Sequence, residues 1–182
     1  MTSVLASRLL TAAAAGGVVA FLSSGGAHAI TSAIFQYSAA RTGYYPIGSS
    51  ALTPDSDNAA ASYVVDDGTG ALNGTGCFQT EPHLPNGATI AGLTVWFDSN
   101  ASDDPIFVFT RRDLVTGAKL AIVSGPVHND TTNRVQHTFT IPKASGKVIN
   151  SNYSFTFAYC GQSNDDHFYG ARVAYTYTNA GD

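Results

Sequence analysis

From Thr89 onward the chain repeatedly alternates apolar and polar side chains with a period of two, a pattern that leaves little room for anything but β-structure. Val135, His137, Phe139 and Ile141 fall on one face of an extended segment, with Gln136, Thr138 and Thr140 on the other. Tyr153, Phe155, Phe157 and Tyr159 alternate with Ser154, Thr156, Ala158 and Cys160. Tyr169, Ala171, Val173, Tyr175 and Tyr177 stand opposite Arg172, Ala174, Thr176 and Thr178. Successive side chains of a strand point to opposite faces, so each segment reads as a strand with one buried side. Helical periodicity is nearly absent after residue 29.

Further strands are predicted at Ser32–Tyr37, Ser62–Asp66, Gly76–Glu81, Thr89–Asp98, Ile106–Arg112 and Ala118–Ser124. Turn chemistry falls between strands: Asp67-Gly68, Pro85-Asn86-Gly87, Asp103-Asp104-Pro105, Thr116-Gly117, Gly125-Pro126 and Ser145-Gly146. Parallel pairing needs crossovers of a dozen or more residues, for which the chain has no room. The expected architecture is all-β, a single antiparallel β-sandwich of jelly-roll or Greek-key type over residues 30–182. Ala39–Ala61 is less regular and is expected to be an extended loop or a loosely attached edge. The stretch Gly68–Gly76 is glycine-rich but has no Lys and no following helix to cradle a phosphate, so it reads as a flexible loop leading into the Cys77 strand.

Residues 1–29 read as a secretory signal peptide. Arg8 supplies the positive charge, Leu9–Leu22 is uniformly apolar or small, and Ala27-His28-Ala29 matches the signal-peptidase pattern, placing cleavage after Ala29. The apolar run is shorter than the ~20 residues a bilayer span needs. The expected setting is extracellular, with no membrane span after cleavage, and the Ala/Gly-rich leader has a bacterial character. In an oxidising compartment the two cysteines, Cys77 and Cys160, are expected to pair. Closing a loop of roughly 84 residues removes unfolded-chain entropy worth about 4.5 kcal/mol.

Charged residues make up only 12% of the chain and the formal net charge is −4. Nucleic acids and anionic membranes both call for clustered Lys and Arg, so neither is an expected partner. Arg111-Arg112 is the single adjacent basic pair, and Asp113 follows it. The remaining partner classes are a protein surface, a second copy of the chain, or a glycan.

Catalytic signatures are missing: there is no G-x-S-x-G elbow, no H-E-x-x-H helix and no dinucleotide fingerprint. His83 and His167 lie near Glu81 and Asp165-Asp166, as a base oriented by a carboxylate would, but no nucleophile accompanies them. His137 shares a face with apolar residues and reads as a core histidine. Carboxylates cluster at Asp55/Asp57, Asp66/Asp67, Asp103/Asp104 and Asp165/Asp166. Calcium takes oxygen ligands from such loops, which makes Asp103, Asp104, Asp165 and Asp166 the candidate metal ligands, set against their ordinary use as turn residues. Trp96 lies opposite Leu93, Val95 and Phe97 on its strand and is expected to face outward or into a groove. With Tyr44, Tyr45, Tyr175 and Tyr177 it forms the candidate ligand-binding set, since aromatic rings stack on sugar faces; the same rings also suit protein interfaces. Glycosylation sequons begin at Asn73, Asn100, Asn129 and Asn152 and are expected to be unused in a bacterial host.

The segment Leu84-Pro85-Asn86-Gly87-Ala88-Thr89-Ile90-Ala91-Gly92-Leu93-Thr94-Val95 resembles a strand opening common in uncharacterised bacterial secreted β-sandwich proteins and some phage tail modules. Phe168–Tyr177 is similar to the closing strand of the same proteins. The resemblance implies a sandwich and brings no functional residues with it. Three functional readings follow: a non-enzymatic structural or interaction module, with self-association open to it; a carbohydrate-binding module using Trp96; and a small secreted hydrolase using His83 or His167.

Overall fold

The computed structural model of the chain describes residues 36–55, 63–65, 70–99, 104–129 and 133–179. The leader reading, the start of the Ser32–Tyr37 strand, and Asp57, Asp66, Asp67 and Asp103 lie outside them. The strands are β1 (Gln36–Gly48), β2 (Thr53–Pro54), β3 (Tyr63–Val65), β4 (Leu72–Gly74), β5 (Gly76–Thr80), β6 (Thr89–Asp98), β7 (Ile106–Asp113), β8 (Lys119–Pro126), β9 (Val135–Thr140), β10 (Tyr153–Gly161) and β11 (His167–Asn179).

They form two antiparallel sheets. The first has the order β3-β4-β11-β6-β9, with β1 also paired to β11; the second runs β2-β5-β10-β7-β8. The central pairings β11–β6 and β10–β7 join strands distant in sequence, so neither sheet is a simple meander. Among the described residues no helix is long and apolar enough to cross a membrane.

The core is the space between the sheets, filled by the apolar half of each alternating pattern. Leu93, Val95, Phe97, Phe168 and Val173 enter from the first sheet; Phe78, Phe107, Phe109, Phe157 and Tyr159 enter from the second. Rings meet across the sandwich: Phe97 and Phe107 at 5.1 Å, Phe157 and Phe168 at 5.6 Å, Tyr159 and Phe168 at 5.0 Å. Such pairs contribute about 0.5–1.5 kcal/mol each beyond the area they bury. This packing fixes which side chains are left for the outer faces.

Two segments differ from the sequence expectation. Of the stretch Ala39–Ala61, expected to be an extended loop or a loosely attached edge, the part up to Gly48 belongs to β1, a strand laid along β11 and registered from Gly48 opposite Gly170 to Arg41 opposite Tyr177. Its polar, glycine-bearing sequence hides the strand because much of β1 is exposed at the sheet margin. Within the glycine-rich stretch, Leu72–Gly74 is β4, and the chain passes from the first sheet to the second through Gly74-Thr75-Gly76. Gly76 has φ +120, and a Cβ on Gly161, its partner in β10, would sit 2.2 Å from the Gly74 carbonyl oxygen. The glycines are there because two backbones meet at this corner. His137 is also corrected: it is exposed on the edge strand β9, with its ring 4.5 Å from that of Phe139.

Candidate functional site

The two outer faces of the sandwich differ in how their side chains are used. On the first sheet, Trp96 points away from the buried Leu93, Val95 and Phe97 and is half-buried. The register sets Thr94 of β6 opposite Arg172 of β11, and Arg172 opposite Pro46 of β1, so Tyr44 and Trp96 flank Arg172. The Arg172 guanidinium lies 4.7 Å from the Tyr44 ring centre and 5.4 Å from that of Trp96. Tyr44 remains 54% exposed. The other aromatics do not join this platform. Tyr45 lies on the core side of β1 and packs against the core, as do Tyr175 and Tyr177 of β11, whose rings are 5.8 Å apart.

Toward the other end of the same face lies a polar network. His167 Nδ1 donates to Asp98 Oδ1 at 2.6 Å, the Asn73 amide donates to His167 Nε2 at 3.1 Å, and the Tyr169 hydroxyl donates to Asp98 Oδ2 at 2.6 Å. Burial, then the bond to Asp98, pushes the Tyr169 hydroxyl above its ordinary pKa. Arg134 covers the Tyr169 ring at 3.6 Å. Tyr169 reaches this face because a β-bulge between Phe168 and Gly170 breaks the alternation. Both ring nitrogens of His167 are occupied, which leaves it no free nitrogen to act as a base.

The outer face of the second sheet is hollow. A groove of about 380 Å³ crosses it, floored by Val108, Ala158 and the Cys77–Cys160 disulfide. The two cysteines are directly opposite in β5 and β10, with Cα atoms 4.0 Å apart. Gln79, Thr110 and Thr156 supply amide and hydroxyl groups along the groove. One wall, from the β2 and β5 side, carries Asp55 and Glu81; the other, from β7 and β8, carries Arg112 and Lys119. A second hollow of about 270 Å³ adjoins it at Glu81, lined by His83, Leu114, Asn150 and Tyr153. This groove is absent from the sequence reading. Strand alternation does place Val108, Thr110 and Arg112 outward, opposite the buried Phe107 and Phe109, but alternation says nothing of the curvature that makes a face concave.

The acidic residues separate into different roles. Asp166 is fully buried, and its carboxylate accepts hydrogen bonds from Ser99 Oγ (2.6 Å) and from the backbone N–H groups of Gln162 (2.7 Å) and Ser163 (3.0 Å), closing the β10–β11 turn. Asp104 bonds His128 at 2.6 Å, and Asp165 is exposed in the β10–β11 turn. Among the described residues no three His, Cys, Asp or Glu side chains gather as a metal site.

The chain matches no known protein-family model and no curated protein sequence. Among solved structures it is similar to the C-terminal family 6 carbohydrate-binding module of the marine laminarinase LamC from Zobellia galactanivorans, at 12% identity and a TM-score of 0.48, covering 72% of this chain and 98% of that one. It is also similar to the family 61 module TmCBM61, solved with β-1,4-galactotriose, at 12% identity and a TM-score of 0.35, over 80% and 92% of the two chains. A chain of infectious bursal disease virus, Gt strain, is alike to the same degree, at 13% identity and a TM-score of 0.34, over 76% of this chain and 32% of that one. These likenesses carry no function over to this chain, whose function rests on the residues of its own two faces.

Proposed function

We propose that this domain binds carbohydrate, in the groove on the outer face of the second sheet. The observation that carries the reading is the lining: a concavity of about 380 Å³ combining carboxylates, a guanidinium, an ammonium, an amide and two hydroxyls over a low, apolar floor. Sugar hydroxyls both donate and accept, so a groove offering both kinds of group along its length suits them. The export reading of residues 1–29 and the disulfide fit an extracellular setting, where such a domain would meet glycans.

A second reading has its own observation. Tyr44 is more than half exposed beside Trp96, so the aromatic face of the first sheet offers a flat stacking surface. Isothermal titration against a panel of oligosaccharides separates the two. Ala158→Phe raises the groove floor without touching the core, and Trp96→Ala removes the platform. Loss of affinity by ten-fold or more in Ala158→Phe, with Trp96→Ala unaffected, is the expected result. The reverse pattern moves the site to the first sheet, and no saccharide binding by the unmodified domain overturns the carbohydrate reading altogether.

A further inference from the structure

The described arginines are used in a uniform way, with one exception. Arg41 lies over Tyr37, Arg111 over Tyr153, Arg134 over Tyr169, and Arg172 over Tyr44 and Trp96. A guanidinium held against a ring face gains cation–π attraction and gives up part of its freedom to meet a ligand. Arg112 has no such ring among the described residues, and neither it nor Lys119 closes an ion pair there. Both are exposed, and both line the groove.

Their placement adds a second oddity. Arg112 and Lys119 are directly opposite each other in the β7–β8 ladder. Like charges in that position repel and cost the sheet some stability. On its other side Arg112 faces Ser154 of β10, which brings no charge. Two adjacent cations are thus held at one wall of a concave site with no anion between them among the described residues. Across the groove, Glu81 follows directly on Thr80, which pairs with Phe157, while Thr156 pairs with Thr110. Glu81 therefore stands about two strand spacings, roughly 10 Å, from the β7 wall. Charge in this groove is segregated, positive along β7–β8 and negative along the β2–β5 side.

We infer that the groove selects an acidic saccharide, one carrying a single uronic acid residue, with its carboxylate between Arg112 and Lys119 and its neutral hydroxyls toward Asp55 and Glu81. This rests on the carbohydrate reading above and narrows it to a ligand class. The planar fork of Arg112 matches a carboxylate in bidentate geometry, and such charge-assisted bonds are about twice as strong as neutral ones. The acidic wall opposes a second anionic group, so a polyanion with a charge on every unit is disfavoured, in line with the net charge of −4.

The test uses uronic-acid oligosaccharides of several backbones, each with its carboxyl-reduced counterpart, titrated into the disulfide-bonded domain. The two members of a pair share a skeleton and differ only in –COO⁻ against –CH₂OH. The acidic member should bind at least ten-fold more tightly. That preference should fall to near parity in Arg112→Gln and weaken several-fold in Lys119→Gln, and it should shrink as salt is raised from 0.05 to about 0.5 M. Both substitutions are at exposed positions and relieve a like-charge pair, so a melting temperature unchanged or slightly raised confirms that the fold is intact. Equal affinity for both members, or a preference indifferent to Arg112→Gln, overturns the acidic-ligand inference and leaves the carbohydrate reading standing. Failure of every saccharide, acidic or neutral, removes the carbohydrate reading itself.

Discussion

On one outer face of this sandwich the polar and aromatic groups satisfy one another; on the other, among the described residues, three charged groups do not. On the first sheet Tyr44, Arg172 and Trp96 are stacked together, and Asn73, His167, Asp98 and Tyr169 are joined in a hydrogen-bonded chain. On the second sheet Arg112, Lys119 and Glu81 line a hollow without pairing among the described residues. Residue types alone favour the aromatic face, which looks more like a sugar platform than the charged one does, and the groove proposal departs from them. What separates them is whether each group already has a partner. Groups that complete one another contribute to the fold, while groups left open at a concavity are available to a ligand.

The largest effect should come from the covalent brace beneath the hollow face. Replacing Cys77 and Cys160 by Ala should lower unfolding free energy by about 4 kcal/mol, from the entropy returned to the unfolded chain. Urea denaturation of oxidised, reduced and Cys77→Ala/Cys160→Ala forms measures it. The reduced and substituted forms should agree, and both should bind ligand more weakly, since the disulfide is part of the groove floor. An unchanged stability would mean that the second sheet is held by its ladder alone.

Trp96→Ala cuts into the opposite face and should cost less, about 1–2 kcal/mol, for a half-buried ring with one cation–π partner. Because that face is read as self-satisfied, the loss should appear in the melting temperature and leave groove affinity within two-fold. A variant that keeps its stability and loses its ligand would reverse the assignment of the two faces.

Much of this arrangement was legible in the sequence, for a reason that particular residues make plain. Leu93, Val95 and Phe97 against Thr94 and Trp96 gave both the strand and the outward tryptophan, because a period of two maps directly onto the two sides of a sheet. Cys77 and Cys160 read as a pair and are one. The alternation misplaced Tyr169, since a bulge adds a residue that no local pattern announces, and it caught only the start of β1, whose later, exposed residues carry little apolar signal. The groove was out of reach for a different reason. It is assembled from β2, β5, β7, β8 and β10, and nothing in the order of residues tells which strands become neighbours or how the sheet curves. Arg112 was conspicuous only as half of a basic pair; that Arg111 stacks on Tyr153 while Arg112 points into a hollow is a fact of pairing.

The smallest effect brings the comparison down to two tyrosines. The Tyr169 hydroxyl donates to Asp98, whereas the fully buried Tyr159 hydroxyl has no hydrogen-bond partner among the described residues. Tyr159→Phe removes an unsatisfied group at nearly constant shape, so stability at pH 7 should be unchanged or higher by up to about 1 kcal/mol. Tyr169→Phe should instead destabilise slightly. Alkaline pH sharpens the contrast. Burial, and then the nearby Asp166 and Asp98 carboxylates, raise the Tyr159 pKa far above its ordinary value of 10.0. The folded state thus keeps this proton where the unfolded chain, titrating near 10, has lost it. Stability contributed by the neutral form is complete below pH 10 and declines as pH rises above it, by at most about 1.4 kcal/mol per pH unit from this one group. Urea unfolding measured between pH 8 and 11.5 should therefore fall less steeply for Tyr159→Phe than for the unmodified protein. Parallel slopes would mean that Tyr159 ionises in the folded state as readily as in the unfolded one, and that its hydroxyl is not sealed in the core.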